Sequence, residues 1–95
     1  MHKSVDEGNG VAKVTFSLPA AVDARSADIV GEFTGWVPVP MTRTSDGGFS
    51  VSVELPMGRA YRFRYLLDGV RWENDWHADD YVLNVHGSHD SVVIV

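Results

Sequence analysis

An alternation of apolar and polar side chains, with a period of two residues, restricts the fold of this chain more than any other feature. It is clearest in residues 11–18, 49–55 and 59–68, where every second side chain is apolar or aromatic. This pattern is typical of β-strands that bury one face against a core and expose the other. No stretch predicts a long helix, so we expect an all-β domain.

Turn signals divide the chain into short segments. Asp46-Gly47-Gly48 and Asp68-Gly69 are typical of hairpin turns, and Pro19 ends the first alternating stretch. Many short strands separated by turns favour an antiparallel β-sandwich of the immunoglobulin-like type. Within the second strand, Gly31 indicates a bulge or a close backbone approach. We predict about seven strands, at residues 11–18, 27–33, 41–44, 49–55, 59–68, 70–72 and 91–95.

The length of 95 residues suffices for one domain with a modest core. Residues 1–10 are polar, contain two glycines and lack the alternation, so we expect a flexible N-terminal lead-in. The sandwich is then expected to span residues 11–95. Because the chain has no cysteine, neither a disulfide nor a cysteine-bound zinc ion is expected.

The charge of the chain narrows its expected partners. The net charge is −5, and the lysines and arginines form no cluster. An acidic surface repels a polyanion, so nucleic acid is not an expected partner. No apolar run approaches the roughly 18–20 residues that cross a membrane, and no membrane partner is expected. Without cysteines or a secretory signal pattern, we expect a cytoplasmic location.

Residues 70–81 form the most unusual segment, with two tryptophans, a tyrosine, a histidine and four acidic residues. Two carboxylates can act as a glycosidase pair, but a single small domain offers no second domain to close a cleft, so catalysis is not expected. His77 and the neighbouring aspartates match no known metal-ligand spacing, so no metal or other cofactor is expected. Trp76 is expected to pack beneath this loop, which leaves Trp72 and the distant Trp36 as either core residues or an exposed platform.

Eight short motifs follow one another along the chain in a characteristic order. They are Gly31-Glu32-Phe33-Thr34-Gly35-Trp36, Pro40-Met41-Thr42-Arg43, Gly48-Phe49, Leu55-Pro56-Met57-Gly58, Tyr65-Leu66-Leu67-Asp68-Gly69, Trp72, Asn74-Asp75 and Asp90-Ser91-Val92-Val93. None is specific alone, but together they resemble the family-48 carbohydrate-binding modules. Such domains stand beside the catalytic domains of isoamylases and glycogen branching enzymes. They are similar to the glycogen-binding domain of the AMP-activated kinase β subunit. The resemblance covers residues 11–95.

The resemblance implies an early-set immunoglobulin-like sandwich that binds α-1,4-glucans such as glycogen, starch or maltooligosaccharides without catalysis. It also implies a binding site composed of Trp36, Arg64, Trp72 and Asp90. Two positions depart from the family pattern. Asp90 stands where the family has an asparagine, and it cannot donate a hydrogen bond as an amide does. Two residues rather than one separate Asp68-Gly69 from Trp72.

Tryptophan and arginine are chemically suited to a glucan. An indole ring offers a large, rigid surface on which the C–H face of a glucose ring can stack. By strand parity Arg64 points away from the apolar face of its strand, where its guanidinium can donate to hydroxyl groups. Each residue also has an ordinary alternative: Trp36 and Trp72 as core residues, Arg64 as a solvated strand residue and Asp90 as a turn cap.

A second hypothesis keeps the fold and changes the function. The domain would then be a protein-interaction or docking module that has lost sugar binding. Its partner would be a glycogen-metabolising enzyme or a second copy of the chain. A glucan ligand and a protein partner are therefore both open at this point.

Overall fold

Two antiparallel β-sheets face each other in the computed structural model, which describes all 95 residues, 1–95. The four-stranded sheet has the order β1-β2-β6-β5, and the six-stranded sheet has the order β4-β3-β7-β10-β9, with β8 also paired to β7. The predicted all-β antiparallel sandwich is thus confirmed. The strands are β1 (His2–Asp6), β2 (Val11–Leu18), β3 (Ala27–Gly31), β4 (Val39–Pro40), β5 (Thr42–Arg43), β6 (Phe49–Pro56), β7 (Ala60–Leu67), β8 (Arg71–Glu73), β9 (Asp80–Leu83) and β10 (His89–Ile94).

The alternating stretches form the central strands, as predicted. β2 pairs with β6 along its whole length, from Val11 opposite Pro56 to Leu18 opposite Phe49. β7 lies in the middle of the other sheet and pairs with β3, β8 and β10. The core lies between these strands and contains the apolar residues of each alternation, namely Ala12, Val14, Phe16, Leu18, Phe49, Leu55, Tyr61, Phe63, Tyr65 and Leu67.

An aromatic cluster links the core to the segment that follows β3. Phe16 packs against Phe63 with ring centroids 4.9 Å apart and against Phe33 at 5.4 Å. Phe33 belongs to a single 3-10 turn, Glu32–Thr34, that follows directly on β3. Gly31 permits this arrangement, because a Cβ there would lie 2.7 Å from the carbonyl oxygen of Arg62. The close backbone approach predicted at Gly31 is therefore present.

The outer face of the six-stranded sheet carries the polar side chains of β7. Parity places Arg62 and Arg64 on this face, opposite the buried aromatics of the same strand. Because directly paired residues share a face, Trp72 joins them through its pairing with Leu66, and β10 contributes Asp90. Residues from three strands thus meet on one surface.

The N-terminal segment differs from the expected lead-in. Residues His2–Asp6 form β1, which pairs with β2 from His2 opposite Thr15 to Asp6 opposite Val11. β1 is an edge strand with mostly exposed side chains. It is held by backbone hydrogen bonds and by an ion pair between Lys3 and Asp79. Such a strand needs no apolar alternation, and its sequence therefore shows none.

Three further elements depart from the predicted strands. β4 and β9 lie in stretches that were not predicted as strands, and the strand expected over 27–33 ends at Gly31, where the 3-10 turn begins. A second 3-10 turn covers Ala20–Val22. No helix in the chain has the length and apolar character needed to cross a membrane.

Candidate functional site

An open cleft of about 700 Å³ lies on the outer face of the six-stranded sheet. All four residues implied by the resemblance line it, although they come from four separate parts of the chain. The structure therefore brings Trp36, Arg64, Trp72 and Asp90 together at one surface. The complete lining is Glu32, Trp36, Arg62, Arg64, Trp72, Asn84, Val85, His86 and Asp90.

Trp36 reaches the cleft from a tightly wound loop after β3. Gly35 and Trp36 both have left-handed backbone conformations, with φ of 63° and 62°. A non-glycine residue in this region is strained and must be held by its surroundings. The Trp36 N–H donates to the carbonyl of Gly31 at 2.9 Å, and the Thr34 hydroxyl accepts from the Gly31 N–H at 3.0 Å. The side chain of Trp36 remains 47% exposed, so it is not a core residue.

Trp72 reaches the same cleft from the short strand β8. It is 48% exposed, and the guanidinium carbon of Arg64 lies 5.4 Å from its ring centroid, within the range of a cation–π interaction. The additional residue before Trp72 does not displace it from this face. Arg71 pairs with Leu67 and donates to the carbonyl of Val22, so the next residue, Trp72, points outward.

Asp90 is the buried member of the group, at 6% exposure. Its carboxylate lies 3.9 Å from Nε of Arg64 and 4.0 Å from Nη1 of Arg62, and it accepts a hydrogen bond from Asn84 Nδ2 at 3.2 Å. Asp90 thus holds three polar side chains in place at the base of the cleft. Nε of Arg64 is buried and faces the Asp90 carboxylate at 3.9 Å, which is too far for a hydrogen bond.

Three lining residues missed by the sequence analysis lie in the loop between β9 and β10. Asn84 organises this loop, because its Oδ1 accepts from the N–H groups of His86 and Ser88 at 2.9 and 3.3 Å. Val85 is almost fully exposed and His86 lies beside it at the cleft. Asn84 and, three residues later, Gly87 are typical of a turn. Because β9 was not predicted, this turn could not be placed relative to the sheet.

Glu32 and Arg62 also line the cleft and were not predicted. Oε1 of Glu32 accepts the backbone N–H of Arg62 at 2.6 Å, which ties the loop after β3 to β7. Arg62 lies two residues before Arg64, on the same face. Parity on β7 was the available signal for Arg62, whereas nothing in the sequence pointed to Glu32.

The expectation that Trp76 packs beneath its loop is wrong. Its side chain is 54% exposed, and Asp75 is buried instead. The Asp75 carboxylate accepts from the hydroxyl of Tyr65 at 2.6 Å and from the N–H of His77 at 2.8 Å, while the Asp75 N–H donates to Ser91 Oγ. Burial, followed by the proximity of Asp75, raises the pKa of Tyr65. The buried hydroxyl of Tyr65 requires an acceptor, so the carboxylate turns inward and the indole lies outside.

Comparison with protein-family models and with curated proteins assigns no function to this chain. No protein-family model matches this sequence, and no curated protein matches it.

Proposed function

We propose that this protein binds α-1,4-glucan chains, without catalysis, in the cleft on the outer face of its six-stranded sheet. One observation carries the proposal. Two half-exposed indoles, Trp36 and Trp72, enter the same cleft of about 700 Å³ from distant parts of the chain, together with the guanidinium of Arg64. The ligand class is glycogen, starch or a maltooligosaccharide.

Stacking of glucose rings on the two indoles contributes binding free energy. Each glucose ring has apolar C–H faces, and an indole left half in water regains free energy when such a face covers it. Covering about 100 Å² of apolar surface on each ring stabilises the complex by about 2–3 kcal/mol per ring. For an open site of this kind we expect dissociation constants in the range of roughly micromolar to millimolar. The curvature of an α-glucan suits two separate platforms.

The charges of the cleft favour a neutral ligand. Arg62 and Arg64 supply two positive charges, and Glu32 and Asp90 supply two negative charges that offset them. The guanidinium groups of Arg62 and Arg64 and the imidazole of His86 line the cleft and offer hydrogen-bonding groups to the hydroxyl groups of a sugar. A polyanion would gain little from this balance, whereas a hydroxylated neutral chain can use both donors and acceptors.

A binding role also fits the state of the carboxylates. Glycoside hydrolysis needs one carboxyl group as acid and a second as base or nucleophile. Within the cleft, Glu32 accepts from a backbone N–H, and Asp90 is buried against Arg62 and Arg64. Both groups are thus committed to holding the site together. The proposal is therefore a carbohydrate-binding module, in line with the family that the sequence resembles.

Titration with maltoheptaose, followed by intrinsic tryptophan fluorescence, tests the proposal. We expect a saturable fluorescence change in the wild type. In Trp72→Ala the dissociation constant for maltoheptaose should rise about thirtyfold or more, because one stacking platform is lost. Val70→Ala is the matched control, since Val70 lies in the same hairpin, is highly exposed and lies outside the cleft. An unchanged signal up to about 10 mM sugar would contradict the proposal.

A docking role is the second candidate, and the free edge of β9 favours it. β9 ends the six-stranded sheet, and its Tyr81 and Leu83 side chains are exposed. Free edges can accept a further strand, here from a second copy of the chain. Sedimentation velocity tests this: a dimer that Leu83→Lys dissociates would support pairing with a second copy, and a monomer up to about 500 μM would exclude it.

A further inference from the structure

A second cleft, of about 300 Å³, surrounds the exposed ring of Trp76. It lies where the end of β2, the turn between β5 and β6, and the segment between β8 and β9 meet. None of its lining residues lines the first cleft. The residues that define its chemistry are Ser17, Leu18, Asp46, Asp75, Trp76 and His77.

The indole of Trp76 is held rather than free. Its Nε1–H donates to Oε1 of Glu73, a residue of β8, with a nitrogen–oxygen distance of 3.3 Å. The preceding residue, Asp75, is anchored in the core by hydrogen bonds with Tyr65 and Ser91. A ring that is already positioned loses little conformational freedom when a ligand covers it. Trp76 is therefore a prepared apolar surface inside a concave site.

The charged groups around Trp76 discriminate between ligand classes. Asp46 and Asp75 line this cleft, and the terminal ammonium of Met1 offsets one of their two charges, so an anion is still disfavoured. Both oxygens of Asp75 are already engaged, by the Tyr65 hydroxyl and by the His77 N–H. Asp46 is fully open to water, where its attraction for a cation is weak. A neutral, hydroxylated ligand remains the class that both the ring and the acceptors suit.

The Asp46 carboxylate is suited to accept from sugar hydroxyls. Its Oδ1 accepts from the Thr44 hydroxyl and from the Gly48 N–H, and these hydrogen bonds hold the pKa of Asp46 below its usual value. The group is thus ionised and fixed in position at ordinary pH. Ser17 adds a hydroxyl that can donate or accept.

We propose that the Trp76 cleft is a second glucan-binding site, so that the domain holds two glucan segments on separate surfaces. This inference rests on the proposed function, because it takes the same ligand class. With one indole instead of two, the second site binds a short oligosaccharide more weakly than the first. On a branched polymer, however, both sites act together and strengthen attachment by avidity.

A nitrogen–proton correlation NMR spectrum tests the two sites separately, through the indole N–H resonances of the tryptophans. Each of the three tryptophans gives one such resonance, and that of Trp76 is assigned by its loss in Trp76→Phe. On titration with maltoheptaose, we expect the Trp36 and Trp72 resonances to move first and that of Trp76 at higher concentration. In Trp72→Ala, the Trp76 resonance should still move, with an unchanged dissociation constant.

The outcomes separate the two proposals. If the Trp36 and Trp72 resonances move while that of Trp76 does not, the second site is excluded and the first one stands. Loss of the Trp76 shift in Trp72→Ala would reduce the two sites to one and would likewise overturn the inference. If no resonance moves, both proposals fail. A shift of Trp76 caused by tetramethylammonium but not by sugar would assign the cleft to a cation and exclude a glucan.

Co-sedimentation with glycogen measures the contribution of avidity. Trp76→Ala should lower retention on the polymer by about threefold or more, while the affinity of the first cleft for maltoheptaose stays the same. Val70→Ala serves as the control here too, since Val70 lines neither cleft. Retention equal to that of the wild type would overturn a functional role for the second site.

Discussion

At the scale of single residues, the site depends on side chains and backbones that have little freedom to change. Trp36 and Trp72 expose their rings, but the residues next to them are constrained. Gly31 allows the turn that precedes Trp36, and Asp90 holds the guanidinium of Arg64 beside Trp72. Substitutions at these two supporting positions should therefore affect the site in different ways.

Gly31→Ala should destabilise the fold. The new Cβ would lie 2.7 Å from the Arg62 carbonyl oxygen and 2.8 Å from Cβ of Phe63, so two paired strands would have to separate. We expect a loss of about 1–3 kcal/mol in the free energy of unfolding, measured by urea denaturation. Gly8→Ala is the control, because the nearest atom there, on Asp6, lies at an ordinary 3.5 Å. Equal stability of both variants would show that β3 and β7 tolerate a wider spacing.

Two substitutions of Asp90 distinguish the effect of its negative charge from the effect of its side-chain shape. Asp90→Ala leaves Arg64 and Asn84 without their buried partner, and we expect it to lower the free energy of unfolding by about 1–3 kcal/mol and to weaken maltoheptaose binding. Asp90→Asn, which restores the residue type of the family that the chain resembles, should lose less of both. If both variants bind sugar as the wild type does, Asp90 does not position the site.

At the scale of elements, the segment between β8 and β9 is attached to the sandwich by a buried polar network. The hydroxyl of Tyr65 on β7 donates to the carboxylate of Asp75, and the backbone N–H of Asp75 donates to the hydroxyl of Ser91 on β10, so this segment is bound to two strands of the six-stranded sheet. This network sets the direction in which Trp76 points. It also supports the end of β8, which carries Trp72.

Tyr65→Phe should loosen this attachment. The change removes the donor to a buried carboxylate without creating a cavity, so we expect a loss of about 1–3 kcal/mol in the free energy of unfolding. The His77 amide should exchange its hydrogen faster, since it donates to the same carboxylate. Tyr81→Phe is the control: Tyr81 donates to the backbone carbonyl of Asp75 rather than to its carboxylate, and its side chain is exposed. An equal loss in both variants would contradict this account.

At the scale of the whole molecule, long-range hydrogen bonds to carboxylates make stability depend on pH. Oδ1 of Asp68, in the turn between β7 and β8, accepts from the N–H groups of Ser26 and Arg25, ahead of β3. These bonds hold the pKa of Asp68 below its ordinary value of 3.8. Partial burial by itself raises the pKa of Asp79, but the hydrogen bond from Ile94 and the ammonium of Lys3 together outweigh it, and the pKa is lowered.

The sign of this effect follows from the lowered pKa values. The unfolded chain binds protons more readily than the folded one, so the stabilisation is complete above pH 3.8 and is lost as the pH falls through the lower folded values. Asp68→Asn, which keeps an acceptor and tolerates the left-handed backbone at that position, should flatten the fall of the urea midpoint below pH 3.8. A decline as steep as that of the wild type would assign the acid sensitivity to other carboxylates.

The sequence by itself determined the class of fold and one side of the site. Alternation predicted β2, β6 and β7, because a strand packed on a core must place apolar side chains at every second position. The same parity directed Arg64 away from the core. The order of motifs, through its resemblance to a family, grouped Trp36, Arg64, Trp72 and Asp90, which do line one cleft.

Only the tertiary structure decided what depends on backbone pairing and on partners distant in sequence. β1 and β9 are edge strands held by backbone hydrogen bonds, which leave no pattern in the side chains. Asp90 is buried because two arginines and Asn84 surround it. Asp75 is buried and Trp76 exposed because the hydroxyl of Tyr65, on another strand, needs an acceptor. The second cleft brings Trp76 together with the end of β2 and the turn between β5 and β6, and no local sequence rule could have revealed it.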